Sequence, residues 1–128
     1  MMENCQADEM INFFDIAIPP QQNVHLNRQQ REAIASSAFN QILRDLSQGK
    51  RELIISDYVS GALIFRFPHL HDLRFRDALI PIEHDIGLTV IDLLRIRGWE
   101  IIYYTLGPFQ DIFATFIGFN SAGRRRKQ

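Results

Sequence analysis

Apolar residues recur at helical spacing over two stretches of the chain. The first stretch begins at Asn27 and ends at Gly49, and the second begins at Asp85 and ends at Gly98. Asn27 has a glutamine three residues later, which is the spacing of a capping box, and glycine often ends a helix in the left-handed conformation. The pattern therefore predicts two amphipathic helices. Their predicted buried residues are Ile34, Ala35, Ala38, Phe39, Ile42 and Leu46 in the first, and Ile86, Val90, Leu93 and Leu94 in the second.

Short apolar runs bounded by turn residues predict strands. Residues 51–57 form one such run, and residues 62–67 form a weaker one. Residues 99–105 and 112–120 are joined by the turn sequence LGPFQD, which predicts a hairpin. Because apolar residues occupy both faces of residues 99–105, we expect this strand to lie in the centre of the sheet.

Two further segments complete the prediction. Asp8–Ile18 has the pattern of a short amphipathic helix that Asp8 caps and Pro19-Pro20 ends. Pro68–Ile82 has no clean period, so we expect a long irregular excursion with one helical turn near residues 70–75.

Together these elements predict an α+β fold. The sheet is expected to have three or four mostly antiparallel strands, with the two main helices on one face and the short N-terminal helix at an edge. The length of 128 residues fits one domain. We assign that domain to residues 1–120 and a basic, disordered tail to residues 121–128.

Each of the two predicted helices is followed by a glycine and then by a predicted strand. The matching pieces are LSQGKRELIIS and LLRIRGWEIIYY, within residues 27–57 and 85–105. This order resembles small helix–strand–helix–strand modules of unassigned role in phage and other viral proteins. The resemblance covers about half of the chain. It implies a viral or phage origin and assigns no chemistry.

Charge and cysteine content bear on location. The net charge is −1, although four positive charges lie in the tail at Arg124, Arg125, Arg126 and Lys127, so the remainder is acidic. Cys5 is the only cysteine, which suits a reducing cytoplasmic or intracellular compartment, or a virion. The N-terminus lacks a signal-peptide pattern. The apolar run 101–123 is broken by turn residues and Asp111, so we expect no membrane span.

Three of the four histidines, His69, His71 and His84, lie within sixteen residues. In an extended segment, His-x-His places both imidazoles on one side, and Glu83 or Asp85 would supply a carboxylate ligand. This pattern is a candidate metal site of a metal-dependent hydrolase, but its spacing matches no established motif. The alternative is a set of solvated loop residues. We assign no catalytic residue and expect no cofactor, because nucleophile and nucleotide-binding motifs are missing.

The stretch FRFPHLHDLRFR interleaves aromatic and basic residues. As a strand it would place Arg66, Arg74 and Arg76 on one face, where they would contact a nucleic acid together with the four basic tail residues. The alternative is that the phenylalanines enter the core and the arginines pair with Asp72 and Asp77 at the surface.

The predicted hairpin is rich in aromatic residues. If one of its faces is uncovered, it forms an apolar patch of the kind that binds a partner or a second copy. The candidate interface residues are Trp99, Tyr103, Phe113, Phe116 and Phe119. We therefore predict a non-enzymatic interaction or assembly protein that forms homo-oligomers, as a viral accessory or virion-associated protein would. A nucleic-acid-binding protein and a metal-dependent hydrolase are the alternatives.

Overall fold

The structure, a computed structural model, describes residues 23–120. The predicted helix Asp8–Ile18, the thiol of Cys5 and the basic tail lie outside these residues. The described elements are α1 (Arg28–Ser47), β1 (Glu52–Ile54), α2 (Ile55–Arg66), two 3-10 turns (Pro68–His71 and Leu73–Phe75), α3 (Arg76–Ile96), β2 (Trp99–Leu106) and β3 (Asp111–Phe119).

The first helix agrees with its prediction. The Asn27 side chain accepts a hydrogen bond from the Gln30 amide at 2.8 Å, and the Gln30 side chain accepts one from the Asn27 amide at 2.8 Å. These two bonds form the predicted capping box. Gly49 follows the helix with φ at 95°, which is the left-handed conformation expected of a helix stop. All six residues predicted to be buried are buried.

The second helix replaces two predicted strands. The run 51–57 is a strand only over Glu52–Ile54, and residues 62–67 belong mostly to α2. The physical reason is that Ile55, Val59 and Leu63 recur every four residues and are completely buried along one side of the helix. Additional apolar residues on the other sides of α2 obscure this period in the sequence.

The third helix begins at Arg76, nine residues before the predicted start at Asp85. Asp85 is therefore an internal residue and not a cap, and the irregular excursion is confined to the two 3-10 turns. Pro81 lies inside the helix. It made the helix hard to predict, because proline lacks the amide that continues the ladder. The C-terminal stop is as predicted, since Gly98 has φ at 115°.

The sheet has three antiparallel strands in the order β1-β3-β2. The fold is therefore α+β, as predicted, with α2 and α3 packed against one face of the sheet and α1 packed on these two helices. The predicted position of β2 was wrong, because β3 is central and β2 lies at an edge. Side chains of the inner face enter the core and are Leu53, Ile101, Ile112, Ala114 and Phe116. A bulge between Glu100 and Ile101 shifts the hairpin register near its open end.

Loss of the capping box should destabilise the domain. We expect Asn27→Ala to lower the free energy of unfolding by about 1 kcal/mol, because the Gln30 amide in the first turn of α1 loses its acceptor. Urea denaturation measures the change. The matched control is Asn40→Ala, an exposed asparagine within the same helix. Alanine has the higher helix propensity there, so the control should not lose stability. Equal losses in the two variants would contradict the capping role.

Candidate functional site

The face of the sheet that points away from the helices is apolar. The strand register aligns Ile54 of β1, Phe113 of β3 and Tyr104 of β2 in one row across the sheet. The Tyr104 and Phe113 rings are stacked, with centroids 5.3 Å apart. Ile102 and Leu106 lie on the same face of β2, because side chains alternate along a strand. These five residues are called the outer sheet face below.

Three of these side chains are more exposed than buried. Ile102 is 60% exposed, Tyr104 57% and Leu106 58%, while Ile54 and Phe113 are half-buried. An antiparallel sheet with one solvated face normally carries polar residues there. No element between residues 23 and 120 packs over this row, since α2 and α3 lie on the opposite face and α1 packs on those two helices. Contiguous exposure of this kind marks an interaction surface.

The five predicted interface residues occupy different environments. Phe113 belongs to the outer sheet face, whereas Phe116 is only 2% exposed and is therefore part of the core rather than of an exposed patch. Trp99 and Tyr103 are half-buried and pack against the core. Phe119 is exposed at the bulged end of the hairpin, where its ring lies 5.1 Å from that of Trp99.

Sequence reasoning missed the four other residues of the outer sheet face, Ile54, Ile102, Tyr104 and Leu106. The alternation within WEIIYYTL carried the signal, because every second residue from Ile102 onward is large and apolar. That signal was hidden, since the intervening Ile101 and Tyr103 are apolar as well.

The free edge of β2 is partly occupied. Arg95 donates from Nη2 to the carbonyl oxygen of Ile101 at 2.8 Å, and its guanidinium lies 5.3 Å from the centre of the Tyr103 ring. An unpaired strand edge is a template for another chain, and a charged side chain on it is a common protection. Because Arg95 covers the edge of β2 near Ile101, a partner can reach the outer face of the hairpin more easily than this part of the strand edge.

A second concave site lies between α2, α3 and the hairpin turn. This acidic pocket has a volume of about 500 Å³, and its lining includes four carboxyl groups, those of Asp57, Asp72, Glu83 and Asp111, and one guanidinium group, that of Arg76. Burial raises the pKa of Glu83 to about 7, with the nearby Asp111 charge acting in the same direction and a hydrogen bond from Ser60 opposing it. Partial desolvation, reinforced by Asp111, raises the pKa of Asp57.

A carboxyl group that titrates near neutral pH can exchange protons, which is one requirement of general acid–base chemistry. A nucleophile is a further requirement for covalent catalysis. The two pocket serines have structural partners, because Ser56 Oγ accepts from the Ile112 amide at 2.7 Å and Ser60 donates to Glu83. The pocket thus contains one carboxyl group, that of Glu83, that can exchange protons near neutral pH. The hydroxyl groups of Ser56 and Ser60 are engaged in hydrogen bonds within the protein.

The three predicted metal ligands make separate contacts. His69 packs edge-on against the rings of Phe67 and Phe75, and His71 lines the acidic pocket. His84 Nδ1 lies 3.3 Å from the carbonyl oxygen of Gln110. The expected extended His-x-His segment is instead a 3-10 turn. Between residues 23 and 120, no three His, Cys, Asp or Glu side chains are arranged to hold a metal ion.

The three internal arginines lie on different elements. Arg66 ends α2, Arg74 lies in a 3-10 turn and Arg76 begins α3, so the alternation that would place all three on one face of a strand is not formed. Arg74 pairs with Asp72 at 3.2 Å, as expected if these arginines form ion pairs at the surface. Arg76 lies over the ring of Phe109 at 5.2 Å.

The phenylalanines of the same stretch are not sorted onto one face. Phe65 is 87% exposed, whereas Phe67 and Phe75 are half-buried against the core. The four basic tail residues lie outside the described part of the chain.

Comparison with models of protein families, with curated proteins and with solved structures finds no match to this chain. No helix within residues 23–120 is long and apolar enough to cross a membrane. Function is therefore inferred from the geometry of the surfaces described above.

Glu83 should make the stability of the domain depend on pH. Its pKa is raised from 4.5 to about 7 in the folded protein, so the unfolded chain releases the proton at lower pH. Stability is then lost as pH rises from about 4.5 to 7 and levels off above that. We expect Glu83→Gln to match the wild type near pH 4 and to be about 1–2 kcal/mol more stable at pH 8, a range reduced for partial solvent exposure.

Urea denaturation between pH 4 and pH 8 measures this difference. Ser60→Ala provides the opposite perturbation, because it removes the hydrogen bond that favours the charged form of Glu83. We therefore expect Ser60→Ala to lose more stability at pH 8 than at pH 4. A Glu83→Gln difference that is the same at both pH values would contradict the buried carboxyl.

Proposed function

We propose that this protein is a non-enzymatic interaction protein that assembles with a second copy of itself through the outer sheet face. The observation that carries the proposal is the row of large apolar side chains on a sheet face that no described element covers. Ile102, Tyr104 and Leu106 are each more than half exposed there. Assembly would remove them from water, which is the main favourable term in most protein association.

The area of the patch indicates the strength of the assembly. The three half-exposed side chains leave roughly 100 Å² each in contact with water and the two half-buried ones roughly 50 Å² each, so the outer sheet face presents about 400 Å² per copy. Two such faces packed together would bury about 800 Å², whereas stable interfaces bury about 1,200–2,000 Å². The polar rim must supply the remainder. We therefore expect a dimer with a dissociation constant in the micromolar range and not a permanent one.

The geometry of the face suits a second copy. In a dimer with twofold symmetry the same patch meets itself, so a patch without charge at its centre is self-complementary. The stacked rings of Tyr104 and Phe113 lie within the row, while the charged Glu52 lies toward its margin, opposite Thr115. Two sheets pack face to face at about 10 Å through such side chains. Tyr104 and Phe113 would act as the central anchors.

The observations favour this function over nucleic-acid binding. The three internal arginines lie on different elements, and Arg74 is already paired with Asp72. The order of elements that resembles phage and viral modules supports an accessory or virion-associated role, because identical copies are concentrated in such particles.

A charge on the outer sheet face should separate the copies. We expect the wild type to sediment as a monomer–dimer mixture that shifts with concentration over the micromolar range. Ile102→Lys and Tyr104→Lys should each raise the dissociation constant at least roughly tenfold, since a buried interface would desolvate an unpaired ammonium. Both positions are exposed, so the fold should be retained, and circular dichroism checks this.

The matched control is Phe65→Lys, which places the same charge at an apolar residue of α2 that is 87% exposed. It should leave the sedimentation profile unchanged. A wild type that remains monomeric at every concentration would overturn the proposal, as would equal dissociation by the control. Oligonucleotide binding by a monomeric wild type that Arg66→Ala, Arg74→Ala and Arg76→Ala together abolish would establish the nucleic-acid function instead.

A further inference from the structure

A second apolar surface lies between α1 and α3, on the side of the molecule that carries the helices. Here the two helices leave an open groove of about 520 Å³ with an apolar floor. Leu93, which the helical period predicted to be buried, is 39% exposed, and Ile96 is 61% exposed. We call this surface the α1–α3 groove, and its floor consists of Ala35, Phe39, Ile86, Leu93 and Ile96.

The described chain begins beside one end of this groove. Leu26 is buried, and its carbonyl oxygen accepts a hydrogen bond from Arg31 Nε at 3.4 Å. Arg31 itself lines the groove. Residues before Asn23 therefore enter the structure next to the N-terminal end of α1. The outer sheet face lies on the opposite side of the sheet from the helices.

The other end of the groove is also fixed by a contact. Arg97 lies over the ring of Phe39 at 5.1 Å, so the C-terminal end of α3 meets the middle of α1 there. Between Arg28 and Phe39, α1 spans about 16 Å at the usual helical rise. A helix formed by residues 8–18 would have the same length.

The sequence before Asn23 matches the groove in chemistry. Its pattern predicts an amphipathic helix over Asp8–Ile18, with Met10, Ile11, Phe14 and Ile18 on one side. Pro19-Pro20 would end that helix, and the five residues from Ile18 to Asn23 could reach about 15 Å in an extended form. That is enough for the segment to turn back along α1.

Charge complements the apolar match. Residues 1–22 contain four acidic residues and no lysine or arginine. The groove is lined by Arg28, Arg31 and Arg97 against two acidic residues, Glu32 and Asp85. Arg28 pairs with Glu32 at 3.1 Å, so Arg31 and Arg97 against Asp85 leave the groove with a net positive charge.

We propose that the α1–α3 groove is the docking site of the chain's own N-terminal segment, residues 8–18, which folds back into it as a helix. Ile18 then lies near Arg31, and Asp8 and Glu9 lie near Arg97. This position differs from the sheet edge that the sequence alone favoured. It leaves the outer sheet face open for the second copy, so the two surfaces have separate occupants.

The position of Cys5 provides a direct test with the full chain. It is the only cysteine, so a nitroxide spin label attached there reports the location of the segment without any substitution. We expect the label to broaden the amide resonances of Leu93, Ile96 and Arg97 in a ¹⁵N-labelled protein, because the segment ends beside them. The resonance of Leu106, at the end of β2 that is remote from Arg97, should be broadened much less than these three. The same sample with the nitroxide reduced gives the reference intensities.

Two variants examine the contacts that hold the segment. Phe14→Glu should remove at least half of the broadening, because it places a charge on the apolar side of the segment. Its matched control, Phe65→Glu, introduces the same charge at an exposed residue of α2 and should leave the broadening unchanged. Arg97→Ala should reduce the broadening and weaken its dependence on salt.

Three outcomes would overturn the proposal. In the first, the label leaves the groove resonances at their reference intensities. In the second, it broadens Tyr104 and Leu106 and leaves the groove resonances at their reference intensities, which would mean that the segment covers the outer sheet face and that this face is not free for a second copy. In the third, the groove resonances are broadened to the same extent when spin-labelled ¹⁴N protein is mixed with ¹⁵N protein that carries no spin label, which would mean that the occupant is another copy's segment. If the protein does not dimerise but the groove resonances are still broadened, the proposed function fails and this docking proposal stands.

Discussion

The structure depends on the contacts that α2 and α3 make with Ile112, at the start of the central strand. This side chain is completely buried, and its amide donates to Ser56 Oγ at 2.7 Å at the first turn of α2. A Cβ at Gly87 would lie only 2.8 Å from Ile112 Cδ1, so α3 approaches the strand closely because residue 87 is a glycine. One residue of β3 therefore fixes both helices to the same face of the sheet, and it leaves the other face to solvent.

The sequence predicts those parts of the fold in which several local signals agree. For α1, the capping pair, the apolar period and Gly49 all mark the same helix. For α2 the signals conflict, because the run Leu53–Ile55 is typical of a strand while Ile55, Val59 and Leu63 have a helical period. Burial of that period against α1 and the sheet decides the outcome, and such burial is a tertiary effect that no local window contains.

The candidate surfaces were less predictable than the fold, for a physical reason. Whether Tyr103 or Tyr104 faces the solvent depends on which side of the hairpin the helices cover, since a strand with apolar residues on both sides is symmetrical in sequence. The acidic pocket was hard to predict for the same reason, because it is formed by tertiary packing. Glu83 lies on α3 beside Asp111 of the hairpin, and the two are adjacent only because α3 begins early enough to include Pro81. The histidines formed the clearest cluster in the sequence, and the fold gave each a separate contact.

The two ways in which this sheet could meet a second copy have different consequences. Pairing through a strand edge adds strands without limit when the new edge is equally free, whereas packing of two faces closes after two copies. The chain restricts the first route, because Arg95 occupies the Ile101 carbonyl on the edge of β2 and because the other edge strand, β1, is only three residues long. The second route stays open, since Ile102, Tyr104 and Leu106 carry no charge and no described element covers them. The positions of charge and apolar surface therefore favour a closed assembly over a growing one.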